Sequence, residues 1–178
     1  LVGRNGSIDW LCVPRFDSGA IFAALLGTEE NGHWTIAPAG EFTARRRYRD
    51  DTLVLETEFE TAEGVVRLID FMPPRGEAPD VVRIVEGVRG RVPMRMDLRL
   101  RFDYGHVVPW VYREQGDLVA VAGPDAAWLR TPVRTRGENL ATHADFEVGP
   151  GDRIPFVLTW RPSHLPPPVP IDPIQELG

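Results

Sequence analysis

Polar and apolar residues alternate along most of this chain. From Val92 to Phe102, Val92, Met94, Met96, Leu98, Leu100 and Phe102 share one parity, and Arg95, Asp97, Arg99 and Arg101 share the other. A helix could not hold those six apolar side chains on one side; a strand does. The same period of two puts Leu53, Leu55, Thr57 and Phe59 on one face of a strand over Thr52–Thr61, opposite Val54, Glu56, Glu58 and Glu60. Further strands are predicted at His33–Ala37, Phe42–Tyr48, Val65–Met72, Val81–Val88, Val107–Arg113, Leu118–Ala122, Ala127–Thr131, Leu140–Val148 and Arg153–Trp160. Turn signals separate them, among them Glu63-Gly64, Pro73-Pro74-Arg75-Gly76, Gln115-Gly116, Gly123-Pro124-Asp125 and Gly149-Pro150-Gly151.

The opening stretch reads differently. Asn5-Gly6 predicts a type I′ hairpin turn between Val2 and a strand over Ile8–Val13, which Pro14 stops. Asp17 or Ser18 can cap a helix start, Ile21, Phe22, Leu25 and Leu26 fall on one helical face, and Gly27 suits its end. This is expected to be the only clear helix in the body of the chain. About a dozen strands joined by short turns, without crossover helices, predict an all-β fold: a large antiparallel β-sandwich with one short helix near the N-terminus. No repeat of fixed period suggests a propeller or solenoid. The expected division is a sandwich over residues 1–161 and a proline-rich linker over 162–178. The linker contains Pro166-Pro167-Pro168, and a helix that the chain cuts short is expected to begin over Asp172–Leu177.

Bulk properties narrow the function. An apolar share of 43% and a charged share of 26% suit a globular domain with one core. No apolar run approaches the roughly 20 residues that cross a bilayer. A net charge of −6 speaks against a nucleic-acid partner. All basic residues are Arg, and the Arg45-Arg46-Arg47-Tyr48-Arg49 run is followed at once by Asp50 and Asp51, as on a solvated strand edge. Leu1, with no Met or basic leader, is expected to lie inside a longer protein. The single cysteine, Cys12, is expected to be a buried thiol in a reducing compartment. His33, His106, His143 and His164 fall on separate elements and suggest no metal site.

Three groups of residues could carry chemistry. Asp9, Trp10, Arg15 and Asp17 are the residue types a sugar site uses: fixed hydrogen-bond partners and an indole for stacking. They equally suit a corner in which Arg15 pairs with Asp9 or Asp17 and Trp10 is mostly buried. The second group, Tyr104, His106 and Trp110, crowds a connection between strands, where it could form an interface or only a turn. The third, Glu56, Glu58 and Glu60, alternates on one strand face. A glycosidase needs carboxylates on opposite sides of the scissile bond, so this row is expected to be a solvated strand face.

The residues also resemble a family. Gly3-Arg4-Asn5-Gly6-Ser7-Ile8-Asp9-Trp10-Leu11-Cys12, Pro14-Arg15-Phe16-Asp17-Ser18 and Phe22-Ala23-Ala24-Leu25-Leu26-Gly27 are similar to the opening of bacterial glycoside hydrolase family 15 proteins, the glucoamylase and trehalase-like group. Asp51-Thr52-Leu53-Val54-Leu55-Glu56-Thr57, Asp70-Phe71-Met72-Pro73-Pro74, Phe102-Asp103-Tyr104-Gly105 and Phe156-Val157-Leu158-Thr159-Trp160 continue the match in order. Gly19-Ala20-Ile21 departs from it, standing where Pro-Ser-Val is common. The resemblance implies an N-terminal β-sandwich that precedes a linker and a barrel of paired helices. The family's two catalytic glutamates lie in that barrel, so no residue here inherits a catalytic role.

On that reading the isolated chain is not an enzyme. It is part of a cytoplasmic hydrolase that cleaves α-glucosidic bonds with inversion, and its partners are the catalytic domain of the same polypeptide and an α-glucoside or α-glucan. No cofactor, metal, nucleic acid or membrane is expected. Asp9, Trp10, Arg15, Asp17, Tyr104, His106 and Trp110 are the candidates to line substrate or interface. The alternative is a stand-alone carbohydrate-binding module.

Overall fold

The computed structural model describes all residues, Leu1–Gly178. Fifteen strands form: β1 Ser7–Ile8, β2 Leu11–Cys12, β3 Ala20–Phe22, β4 His33–Pro38, β5 Thr43–Tyr48, β6 Leu55–Glu60, β7 Gly64–Phe71 and β8 Asp80–Gly90, followed by β9 Val92–Arg99, β10 Trp110–Glu114, β11 Asp117–Ala122, β12 Asp125–Arg130, β13 Arg136–Glu138, β14 Ala141–Val148 and β15 Arg153–Pro162. A short helix, α1, spans Pro173–Leu177. A five-stranded sheet, β1-β4-β9-β14-β13, and an eight-stranded sheet, β10-β11-β12-β15-β8-β7-β6-β5, are antiparallel throughout, and β2 pairs with β3 beside them. The core lies between the sheets. Trp34, Met94, Met96 and Leu98 meet Phe59, Leu68, Val85, Phe156 and Leu158 there.

The β-sandwich is as the alternation predicts, and all six apolar residues from Val92 to Phe102 are buried. The opening stretch is not. Ala20–Phe22 is a strand with every residue buried, and two short 3-10 turns, Ala24–Leu26 and Glu29–Asn31, follow it in place of an α-helix. Ile21 and Phe22 enter the core, whereas Leu25 and Leu26 point to solvent, so the shared helical face does not exist. The first turn differs too: Gly6, at φ 75°, is left-handed, and Asn5 is not. Gly6 donates to the Gly3 carbonyl and Gly3 donates to the Ser7 carbonyl, as in a hairpin carrying one left-handed glycine after its turn. Leu53 precedes β6 instead of sharing its inner face with Thr57 and Phe59.

One ion pair joins the layers. Arg83 on β8 is fully buried; its guanidinium donates to Asp70 Oδ1 at 2.7 Å, to the Gly6 carbonyl at 2.7 Å and to the Trp34 carbonyl at 2.5 Å. It also lies 5.1 Å from the Trp34 ring centroid.

The proline-rich tail folds back on the eight-stranded sheet. Ser163 Oγ donates to the Gly123 carbonyl, Arg130 Nη2 donates to the Pro168 carbonyl at 2.7 Å, and Ile171 and Leu177 pack on Ile69, Phe71, Val82, Ile84 and Val157. That apolar patch belongs to the outer face, which explains why the tail is held against the sheet. Asp172 caps α1 by accepting from the Ile174 and Gln175 amides.

Candidate functional site

The first two candidate groups meet at one end of the sandwich. This end gathers the starts of β4, β8 and β12 and the finishes of β7, β9 and β15, because the antiparallel registers set His33 beside Arg99, Phe71 beside Val82 and Asp125 beside Pro162. Loops 9–32 and 100–109 pack together here. Asp103 and Tyr104 are successive left-handed residues, at φ 49° and 58°, and this turn lets the Tyr104 amide donate to the Ala20 carbonyl. The Tyr104 ring then lies 5.9 Å from the Trp10 ring, and its hydroxyl donates to the Ser18 carbonyl at 3.4 Å.

Each candidate has a definite place. Asp9 accepts from Ser7 Oγ at 2.5 Å and does not pair with Arg15. Arg15 grips Asp17 with two hydrogen bonds of 2.9 and 3.0 Å, yet both side chains remain exposed, at 67% and 51%. A charge-assisted fork in that setting pins a corner but adds little stability. Trp10 is half-buried, not mostly buried, with the Tyr104 ring tilted against it at 39°. His106 is exposed, and Trp110 opens β10 with 76% of its surface free.

Outside this end, the glutamate row is not the solvated face that alternation suggests. Glu56 is buried under arginines, accepting from Arg47 at 2.9 Å and Arg49 at 2.9 Å, with Arg67 at 3.9 Å. Burial alone would raise its carboxyl, but the Arg49 and Arg47 hydrogen bonds and the arginine charges outweigh that and hold it below the ordinary range. Glu58 and Glu60 pair with Arg67 and Arg89. His33 and His143, separate in sequence, flank Asp97 on the outer face of the five-stranded sheet at 3.6 and 3.7 Å. No group of three His, Cys, Asp or Glu side chains could hold a metal ion. Cys12 is half-buried instead of buried, and desolvation pushes its thiol up despite the nearby N-terminal charge, so the nucleophilic thiolate is disfavoured.

The arrangement suits docking better than acid–base chemistry. Asp9 and Asp17 are engaged by Ser7 and Arg15, and large apolar side chains are exposed among these polar ones. Sequence reasoning missed most of that surface: Phe16 and Leu53, each 90% exposed, and Leu25, Leu26 and Leu140. Their signal was present, since Phe16 stands between Arg15 and Asp17, and Leu53 follows Asp50-Asp51-Thr52. Large apolar residues inside polar turns have no core to fill.

Comparison with known proteins matches this sequence to a family. The family described as "Trehalase-like, N-terminal" matches residues 1–162. Trehalase 2 of Sulfolobus acidocaldarius is 34% identical over 145 residues, covering 82% of this chain and 22% of that protein. The trehalase of Mycobacterium tuberculosis is 30% identical over 195 residues, covering 94% of this chain and 28% of its own length. The trehalase of Thermoplasma volcanium is 28% identical over 156 residues, covering 83% and 25%. This chain therefore spans about a quarter of the length of these relatives. No solved structure matches it. No helix here is long and apolar enough to cross a membrane. The chain belongs to the trehalase-like N-terminal domain family.

Proposed function

We propose that this chain is the non-catalytic N-terminal β-sandwich of a cytoplasmic glycoside hydrolase of the trehalase or glucoamylase type. The parent enzyme hydrolyses an α-glucosidic bond with inversion, using an acid and a base carboxylate in a helical-barrel domain that follows in the same polypeptide. The sandwich packs against that domain and supports it. Residues 1–161 form the supporting body, and 162–178 lead from it towards the barrel.

One observation carries this reading: a family match over 1–162 to relatives named trehalases, in each of which the match covers only about a quarter of the length. The site geometry adds support, because a glycosidase needs two carboxylates free to face a scissile bond. Asp9 and Asp17 are instead tied to Ser7 and Arg15. The cytoplasmic assignment rests on the lone, half-buried cysteine, which calls for no oxidising compartment.

The test is turnover of trehalose and maltose by the isolated chain and by the intact polypeptide. The expected result is hydrolysis by the intact polypeptide only; turnover by the chain alone would overturn the assignment. The exposed indole of Trp110 favours a second reading, glycan binding by stacking. Calorimetry with α-glucans separates the two: saturable heat lost on Trp110→Ala supports binding, and absence of heat removes it.

A further inference from the structure

Exposed apolar residues are distributed unevenly over this molecule. The end built from loops 9–32, 49–54, 72–79, 100–109 and 139–140 presents Phe16, Leu25, Leu26, Leu53, Trp110 and Leu140 to solvent. The turns at the opposite end are polar or small. Ala39–Glu41, Thr61–Glu63, Val88–Arg91, Gln115-Gly116 and Gly149–Asp152 expose one large hydrophobic residue, Val88. The outer face of the five-stranded sheet is also accounted for, because Arg91–Glu147, Arg95–Asp145, Arg136–Asp145 and Arg99–Glu30 ion pairs cover it. On the eight-stranded sheet the tail and the arginines around Glu56 cover much of the outer face, while Tyr112 on β10 and Val169 on the tail stay exposed.

The apolar end is also concave. An open groove of about 1010 Å³ runs between Leu1, Leu11, Tyr48, Leu53, Phe71 and Met72. Arg4 and Arg45 stand at its rim, and neither forms an ion pair within the chain. A second, smaller hollow of about 410 Å³ separates Trp110 from Leu98, Leu100 and Leu140. Arg101 ties the loops around it, donating to the Leu100 and Leu140 carbonyls at 2.7 and 3.1 Å.

The path of the tail selects the occupant. The tail leaves the end of β15, passes Arg130 at Pro168, and returns along the outer face until Leu177 packs near Phe71 and Val82. Glu176 comes close enough to Asp80, the first residue of β8, to act on its charge. The chain therefore arrives back beside loop 72–79. That loop reaches the opening stretch through the Arg75 hydrogen bond to the Pro14 carbonyl. The relatives continue for about three times the matched length.

We propose that this end of the sandwich is the docking face for the domain that follows in the same polypeptide. The Leu53–Met72 groove takes an apolar segment edged with acidic residues, and the tail is the strap that brings that domain onto it. This inference rests on the functional reading above and deepens it: it names the face, the chemistry of the partner segment and the element that aligns the two. It also accounts for Leu25, Leu26 and Leu53, which contribute nothing to the sandwich's own core.

The test is amide hydrogen exchange on the isolated chain and on the intact polypeptide, with Leu53→Glu and Phe16→Glu variants and Val88→Glu as the control. Exchange at Tyr48–Leu53 and Val107–Val111 is expected to slow at least about tenfold in the intact polypeptide. Leu53→Glu and Phe16→Glu should remove that protection and Val88→Glu should leave it, while all three isolated variants unfold at the parent temperature because the altered side chains are exposed. Equal exchange in both contexts, or protection of the isolated chain by its own dimerisation, would overturn the proposal. Exchange reads contact and not catalysis. Trehalose hydrolysis without protection therefore removes this face and spares the functional reading, and protection without hydrolysis does the reverse.

Discussion

At the scale of single residues, Arg83 is the most consequential side chain in the molecule. It is fully buried, and one guanidinium satisfies Asp70, the Trp34 carbonyl and the Gly6 carbonyl, joining the opening hairpin to both sheets. Breaking a buried pair leaves an uncompensated charge, so Arg83→Met is expected to cost about 3–5 kcal/mol, read from the urea midpoint. Arg83→Met combined with Asp70→Leu should recover part of that loss, since the orphaned carboxylate is then gone. None of this was legible beforehand. Arg83 has Val82 and Ile84 as neighbours in a run that reads as a buried strand, and its partner Asp70 lies on the adjacent strand, opposite it in register. A single strand pattern cannot show a cross-strand pair. Gly6 was legible as a turn glycine. Its second role was not: its carbonyl feeds Arg83, and a Cβ there would collide with the Ile36 carbonyl.

Two carboxylates give opposite dependences on pH. Glu56 has a folded pKa below its unfolded value of about 4.3, so its contribution to stability is complete above that pH and is lost as pH falls through the lower folded value. Glu56→Gln should therefore lower the unfolding temperature near neutrality, and the difference should narrow below about pH 4. Asp80 is the reverse case. Burial raises its carboxyl, only partly offset by the Thr159 hydrogen bond and the Arg130 charge, and Glu176 adds to the rise. A raised folded value means that its ionised form is a burden above that value, and the burden vanishes below the unfolded value of about 3.9. Asp80→Asn is expected to raise the unfolding temperature at pH 7, with no gain near pH 3, by differential scanning calorimetry.

At the scale of elements, period two was a sound guide wherever one face of a strand met the core. β4, β9, β11 and β15 appear close to their expected limits. The pattern failed where neither face, or both faces, are buried. β13, Arg136–Glu138, is an exposed edge strand of three residues without an apolar member, and nothing in its composition marks it. Ala20–Phe22 is buried on every side, so its residues carry no alternation, and with Leu25 and Leu26 they imitate a helical stripe. The tail is a different case. Proline-rich composition predicts an extended chain, which it is, but does not reveal that Ile171 and Leu177 have an apolar patch to land on. Replacing both with Asp should release the strap, giving faster proteolytic cleavage near Pro170 while the sandwich keeps most of its stability.

At the scale of the whole molecule, large exposed apolar residues are most concentrated at one end of the sandwich. Ion-pair lattices cover the outer face of one sheet, and the strap and an arginine-ringed glutamate cover much of that of the other. The sequence alone set Trp10 and Tyr104 in two separate groups, although their rings lie 5.9 Å apart. It could not show that the surrounding apolar turns converge on the same end, because that depends on the registers of both sheets. The central claim is that this domain supports a catalytic neighbour and takes no part in chemistry. It is tested most directly by measuring trehalose hydrolysis with three preparations: this chain, the remainder of the polypeptide, and the two mixed. The account predicts no turnover by the chain, weak or short-lived turnover by the remainder, and recovery on mixing. Turnover by the chain alone, or a remainder equally active and durable without it, would contradict the account.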